Sequence, residues 1–180
     1  MPAAQIFYFD DDRSSLIVNA VAPAISEIEQ TFPDAQLAMR ASWRQGPHLD
    51  IFADIPGEQF ARDYWPILEK QVSAWLVENP SEKILDEEDY LDLSKNLAIH
   101  ELETRPITPI HPNNIIMQGW HEPDIQIFAV PELAQSQYTY NAISLPVVID
   151  TLRLKMRDFD LFYTRLIELM ALTGTFVPAY

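Results

Sequence analysis

QLAMRASWRQGPHLDIFADI, residues 36–55, contains two runs in which apolar and other side chains alternate. Leu37, Met39, Ala41 and Trp43 alternate with Gln36, Ala38, Arg40, Ser42 and Arg44. After Gln45-Gly46-Pro47, residues Leu49, Ile51, Ala53 and Ile55 alternate with His48, Asp50, Phe52 and Asp54. Period-two alternation places successive side chains on opposite faces of a strand, and a short glycine-containing loop joins two such runs as a hairpin. With Arg44 opposite His48, Trp43 faces Leu49, Ala41 faces Ile51 and Met39 faces Ala53. A slip of one residue would destroy this apolar match, so the pattern specifies the register. The other face then carries Arg44 with His48, Ser42 with Asp50, and Arg40 with Phe52.

Toward the N-terminus, Gln5 to Phe9 is a β-branched and aromatic run that reads as a strand, stopped by Asp10-Asp11-Asp12. Ser14 or Ser15 offers an N-cap, and Ile17, Val21, Ile25 and Ile28 recur at helical spacing over residues 15–31. Pro23 inside that span predicts a kink or a later start. After the hairpin, Phe60, Tyr64, Leu68, Val72 and Trp75 mark the buried side of a helix over residues 57–78, where Pro66 poses the same problem. Asp86 is the N-cap of a further helix reaching about Glu103, with Tyr90, Leu93, Leu97 and Glu101 on one stripe. Three prolines in residues 105–114 require an extended or turning segment. Ile115–Met117 and Ile125–Val130 read as short strands, and Pro131–Ser144 as irregular or weakly helical. From Pro146, a long closing helix shows Val148, Leu152, Met156, Phe159, Tyr163, Leu166 and Met170 on one stripe and ends at Gly174. The sum is a single α+β domain over residues 1–180, a mainly antiparallel sheet with helices packed on one face.

Composition narrows the function. The chain of 180 residues is 48% hydrophobic, enough for a core. It carries 27 acidic against 12 basic residues, a formal charge of −15, which argues against binding nucleic acid or an anionic membrane surface. Cysteine is absent, so disulfides, thiolate metal sites and cysteine nucleophiles are excluded. There is no apolar run near the ~20 residues of a membrane span and no basic region followed by an apolar stretch at the N-terminus, so a cytoplasmic protein is expected. Only four glycines occur, with no phosphate-cradling loop and no GxSxG.

Several constellations carry candidate chemistry. On the polar face of the hairpin, Arg40, Arg44, His48 and Asp50 lie close together. Arginine forks bind carboxylates or phosphates, and a histidine beside them moves a proton near neutral pH. The competing reading is a solvent-facing sheet surface with weak cross-strand pairs. Asp10 to Asp12 lacks the glycine and distal glutamate of a calcium loop and suits a helix N-terminus. His100, His111 and His121 are irregularly spaced, so no zinc site is expected. Arg153, Lys155, Arg157 and Arg165 on the closing helix are balanced by Asp150, Asp158, Asp160 and Glu168.

One resemblance extends this reading. MRASWRQGPHL (residues 39–49) resembles the F-x-R-Y-x-x-x-G-P-H-L-R-x-R signature of the C-terminal domain of lantibiotic dehydratases, which also occurs free-standing in thiopeptide biosynthesis. PSEKILDEE (80–88), then Glu101-Leu102-Glu103, then PIHPNN (109–114) resemble that family's later P-x-x-x-x-L-x-x-E, E and P-L-x-P-N-N elements. IFYF and APAI near the start are similar to its opening. The likeness covers about residues 5–118; residues 119–180 diverge. Asp50 follows Leu49 and Phe52 stands where arginines are expected, no E-x-x-R-Y-G-G is visible, and the late helix has no histidine.

The resemblance implies biosynthesis of a ribosomally made, post-translationally modified peptide. In that family the domain eliminates glutamate from glutamylated Ser or Thr, builds a pyridine ring by cycloaddition, or belongs to ligases that use charged tRNA. A lyase-like enzyme acting on a modified precursor peptide is implied, without metal or redox cofactor. The alternative is a noncatalytic peptide-binding or accessory subunit of a larger dehydratase or synthase. Arg40 matches the family's arginine and His48 its histidine. With Arg44 they form the expected catalytic group, and Ser42, Asp50, Asn113 and Asn114 the expected substrate-binding group. The precursor peptide is the expected partner; a larger dehydratase or synthase subunit and a homodimer are further candidates.

Overall fold

The computed structural model describes residues 1–122 and 131–174. Strand β1 is Pro2–Phe7, β2 is Ala38–Ser42, β3 is His48–Phe52 and β4 is Ile115–Trp120. They form one sheet in the order β2-β3-β1-β4, with every neighbouring pair antiparallel. β1 and β2 are thus parallel with β3 between them, and β3 and β4 are parallel with β1 between them. This is the split β-α-β arrangement of a ferredoxin-like α+β domain.

The hairpin forms with its faces as the sequence pattern requires, but its register differs. Met39 opposes Ile51 where Ala53 was the expected partner, and Ser42, not Arg44, opposes His48. The loop is Trp43–Pro47, with Gln45 (φ 59°) and Gly46 (φ 113°) in the left-handed region. Trp43 and Arg44 therefore leave the ladder. The displacement is by an even number of positions, so each side chain keeps its face. β1 starts and ends earlier than residues 5–9, because Tyr8 and Phe9 continue into the turn before the first helix.

Helix α1 comprises Ser14–Leu16, a π turn at Ile17–Val21 and Ala22–Thr31; α2 repeats the design as Gly57–Gln59, a π turn at Phe60–Tyr64 and Trp65–Glu78. Each π turn ends two residues before a proline, Pro23 or Pro66. Proline lacks an N–H and its ring collides with the carbonyl four residues back, and a wider turn moves that carbonyl aside. Both helices therefore pass through their prolines instead of starting at them. Leu16, Ile17, Val21, Ile25 and Ile28 of α1 and Phe60, Tyr64, Leu68, Val72 and Leu76 of α2 pack on Ala4, Ile6, Leu49, Ile51 and Ala53 of the sheet.

Helix α3 (Glu87–His100) is capped by Asp86, whose carboxylate accepts from the backbone N–H of Glu88 and Asp89, both at 3.1 Å. Its inner stripe contains Ser94 in place of the expected Leu93, which is exposed. Helices α4 (Pro131–Arg157) and α5 (Phe159–Gly174) replace the single closing helix expected from Pro146. Residues 131–144 are helical, and Pro146 lies inside α4. Among its described side chains Tyr138, Leu145 and Ile149 are buried; Val148, Met156, Phe159, Tyr163 and Leu166 of the expected stripe are exposed. The expected strand at 125–130 lies outside the described residues, as does the side chain of Met170.

The acidic triplet staples the N-terminal turn. Asp10 accepts from Ser81 Oγ (2.7 Å), Asp11 pairs with Lys83, and Asp12 accepts from Ser14 N (2.9 Å) and from Lys155 Nζ (2.9 Å). The bonds from Ser14, then Lys155, bring the Asp12 carboxyl down to about 2.

Because Leu68 is wholly buried between α2 and the sheet, Leu68→Ala is expected to lose about 2–5 kcal/mol of stability in urea unfolding.

Candidate functional site

The second face of the sheet is built by the alternate residues of the same strands. Ala3, Gln5 and Phe7 of β1 stand beside His48, Asp50 and Phe52 of β3 and Ala38, Arg40 and Ser42 of β2. The sequence pattern leaves this face open to two readings, a candidate site or a wet surface. Every residue of β3 is buried. The chain from Glu101 returns across it: His111 N donates to Gln45 O (2.8 Å), Gln45 Nε2 donates to Thr108 O (3.2 Å), and His121 follows β4 back over the sheet. Tyr138 of α4 closes the side, its hydroxyl donating to Gln36 O (2.8 Å) while Ala3, Ala38 and Phe52 pack around it.

Asp50 lies at the centre of this face with a nearly inaccessible side chain. Oδ1 accepts from Gln5 Nε2 (3.0 Å), and Oδ2 pairs with His121 Nδ1 (2.8 Å). His48 Nδ1 is 2.8 Å from Gly46 O, and a carbonyl only accepts, so Nδ1 carries the hydrogen. His48 Nε2 then stands 3.4 Å from Gln5 Nε2 and 3.4 Å from Asp50 Oδ1. It accepts from the Gln5 amide when neutral and donates to Asp50 when charged. Burial alone would push the Asp50 carboxyl up. The hydrogen bonds and charge of His121 and His48 outweigh burial and hold it well below the usual carboxylate range.

Above Asp50 is a polar cavity of about 130 Å³, lined by Arg40, Ser42, Arg44, Asp50 and His121 from the sheet side. Glu101, Glu103, Arg105 and Glu122 line it from the covering segment. Glu103 receives the Arg105 side chain and its backbone N–H (2.8 Å), and Arg105 also donates to Glu122 (3.0 Å). Burial opposes ionisation of Glu103, but the Arg105 bonds prevail and lower its carboxyl from the ordinary value. Arg44 is held differently. Its guanidinium approaches Glu103 only to 3.9 Å and Glu122 only to 4.0 Å, beyond hydrogen-bond length. A guanidinium so placed has the geometry to bind a carboxylate or phosphate through paired N–H groups. The volume is below the ~300–1,000 Å³ of a complete small-molecule site.

The expected site residues separate into two groups. Arg40, Ser42, Arg44 and Asp50 come together at the cavity. His48 lies beneath it, packed on Phe7 at a ring separation of 4.6 Å, and supports Asp50. Asn113 and Asn114 do not line it. Asn113 accepts from Phe9 N (3.0 Å) and donates to Lys83 O (3.0 Å); Asn114 accepts from Ser81 N (2.7 Å) and donates to Ser81 O (2.9 Å). Both amides tie residues 81–83 to the start of β4. His121, Glu103, Arg105 and Glu122 were missed as site residues. The segment after α3 brings Glu103 and Arg105 here, and the chain leaving β4 brings His121 and Glu122. A larger groove of about 470 Å³ between α1 and α4 is lined by Ala22, Ile25, Leu37, Leu145, Pro146 and Ile149 among others. Its ionisable lining residues are Glu29, Asp150 and Arg153, and Arg153 pairs with Asp150 at 3.0 Å.

Compared with known proteins, the chain has the fold of a solved enzyme described as pyridine synthase, TbtD, from thiomuracin biosynthesis. The TM-score is 0.71 with 25% sequence identity, over 87% of this chain and 49% of the other. The chain thus spans about half the length of that enzyme. No family model matches, and no curated protein matches.

The Asp50 arrangement has a measurable cost of disruption. Asp50→Asn removes the charge and leaves a single amide oxygen where two carboxylate oxygens met Gln5 and His121, and should lose on the order of 3 kcal/mol at neutral pH. A carboxyl depressed on folding stabilises fully above its unfolded value of about 4 and progressively less below it. The wild-type advantage over Asp50→Asn in urea unfolding should therefore be largest near neutrality and shrink as pH falls below about 4.

Proposed function

We propose that this protein acts in the biosynthesis of a ribosomally made, post-translationally modified peptide of the thiopeptide or lanthipeptide type. Its guest is a modified precursor peptide, and its reaction is lyase-like: elimination of glutamate from a glutamylated Ser or Thr, or the pyridine-forming cycloaddition. The observation that carries this reading is the fold shared with a thiomuracin pyridine synthase at 25% identity over 87% of the chain. The cavity supports it. In elimination the departing group is a carboxylate, and Arg44 offers a guanidinium fork not closely bound by protein carboxylates. Arg40 stands on the adjoining strand of the same wall.

A second reading, an accessory subunit that holds the peptide for a larger dehydratase or synthase, is favoured by a different observation. Ile143, Val147, Phe159, Tyr163 and Ile167 of α4 and α5 are all more than half exposed. Apolar side chains so displayed suit a protein partner.

Incubation with a precursor peptide bearing glutamylated Ser and with one bearing two dehydroalanines, followed by mass spectrometry, tests the proposal. Loss of glutamate or release of a leader is expected. Arg44→Ala should weaken the process about 10- to 100-fold, the equivalent of about 1.5–3 kcal/mol for a charged hydrogen bond. Turnover seen only with a larger partner, and indifferent to Arg44→Ala, would favour the accessory reading. No turnover and no binding of either peptide would overturn both.

A further inference from the structure

We propose that His121 is the proton-transfer residue of the cavity and that Asp50 is its positioning residue. This rests on the peptide-modifying reading above and deepens it. His121 is one of four histidines, and each has a different environment. His48 has both ring nitrogens engaged beneath the cavity. His111 packs on Phe7, and burial followed by the nearby His48 lowers its pKa. His100 is exposed near the end of α3. His121 lines the cavity itself.

Its ring is fixed from three sides. Nδ1 meets Asp50 Oδ2 at 2.8 Å. The ring stacks on Phe52 with centroids 3.7 Å apart and planes at 14°. Its backbone N–H donates to Met1 O and its carbonyl accepts from the Met1 amino group, both at 2.8 Å. An ionised Asp50 only accepts, so the hydrogen of a neutral His121 sits on Nδ1 and the lone pair on Nε2. Among the described residues Nε2 has no partner, and the single buried side-chain polar atom lacking one is Gln137 Oε1. Because His121 lines the cavity and Asp50 takes Nδ1, Nε2 is the nitrogen left for a guest. A carboxylate that orients one imidazole nitrogen and stabilises the charged ring makes the other nitrogen a better base.

The step follows for a peptide in which Ser carries an acyl group on its oxygen. Nε2 accepts the hydrogen of the carbon next to the peptide carbonyl. The electron pair of that C–H bond forms the carbon–carbon double bond, and the acyloxy group leaves with the C–O pair. The leaving group becomes a free carboxylate at the Arg44 fork. The proton on Nε2 passes to water, restoring the neutral ring.

Two readouts on the whole protein test this. In ¹⁵N-histidine spectra, with His121 assigned through His121→Gln, the neutral ring should carry its hydrogen on Nδ1, and Asp50→Asn should move it toward Nε2. With the glutamylated peptide, His121→Gln should reduce kcat about 100-fold or more while KM changes less than about threefold. If Asp50→Asn does not fold, the wild-type spectrum and His121→Gln kinetics decide. A wild-type His121 hydrogenated on Nε2, or a His121→Gln protein with undiminished kcat, would overturn the assignment. If the wild-type protein turns over neither modified peptide, the peptide-modifying reading fails instead. The ring-nitrogen spectrum then judges the Asp50–His121 pair by itself.

Discussion

Asp50 sits on a strand with neighbours on both edges and cover on both faces, where an ionised carboxylate needs donors from several directions. Gln5 supplies one from β1 and His121 another from the chain beyond β4, and His48 on β3 adds a third when its ring is charged. Leaving such a group unpaired costs several kcal/mol, so the surrounding chain has little freedom in how it crosses the sheet. Gly119 shows the consequence two residues before His121. A Cβ there would overlap the Gln5 side chain from Cγ outward, and Gln5 cannot swing away without releasing Asp50. The last strand approaches this closely because it delivers His121 to the carboxylate.

The same packing divides the arginines by role. Arg105, embedded between Glu103 and Glu122, ties these two of the covering segment's three carboxylates together. Arg44 leaves the ladder at the hairpin loop and stops short of those carboxylates. In an acidic chain this matters, because a guest carboxylate approaching the cavity meets repulsion except where a guanidinium faces it. The cavity thus combines a guanidinium held off its neighbouring carboxylates with an imidazole held by a buried carboxylate. Both kinds of group are useful when a carboxylate leaves a carbon whose neighbour loses a proton.

Much of the fold was legible because it is locally encoded. Ile17, Val21, Ile25 and Ile28, and Phe60, Tyr64, Leu68 and Val72, are buried where their spacing places them. The hairpin's apolar face was read correctly for the same reason, since period two fixes the face. The pairing was not, because alternation fixes parity alone and the loop takes Trp43 and Arg44 out of the strand. Arg40, Arg44, His48 and Asp50 were all visible as candidates, but the burial of His48 and Asp50 was not, because alternation alone leaves the second face of the hairpin open to solvent. Only a segment far along the chain, carrying His121 at a separation of 71 residues, turns that surface into an interior. The closing helices misled in a different way. The regular apolar stripe from Val148 to Leu166 is largely exposed, while Tyr138, Leu145 and Ile149 make the contacts, and periodicity does not say which of two apolar stripes faces the core.

The state of the Asp50 carboxyl is the most direct measure of whether this interior exists. A ¹³C NMR titration of the carboxyl carbon, assigned through Asp50→Asn, should show no protonation in the ordinary range near pH 4, with the group ionised to well below it. A carboxyl that titrates at or above that ordinary value would mean that His121 and His48 do not hold it, and would contradict the account of the site.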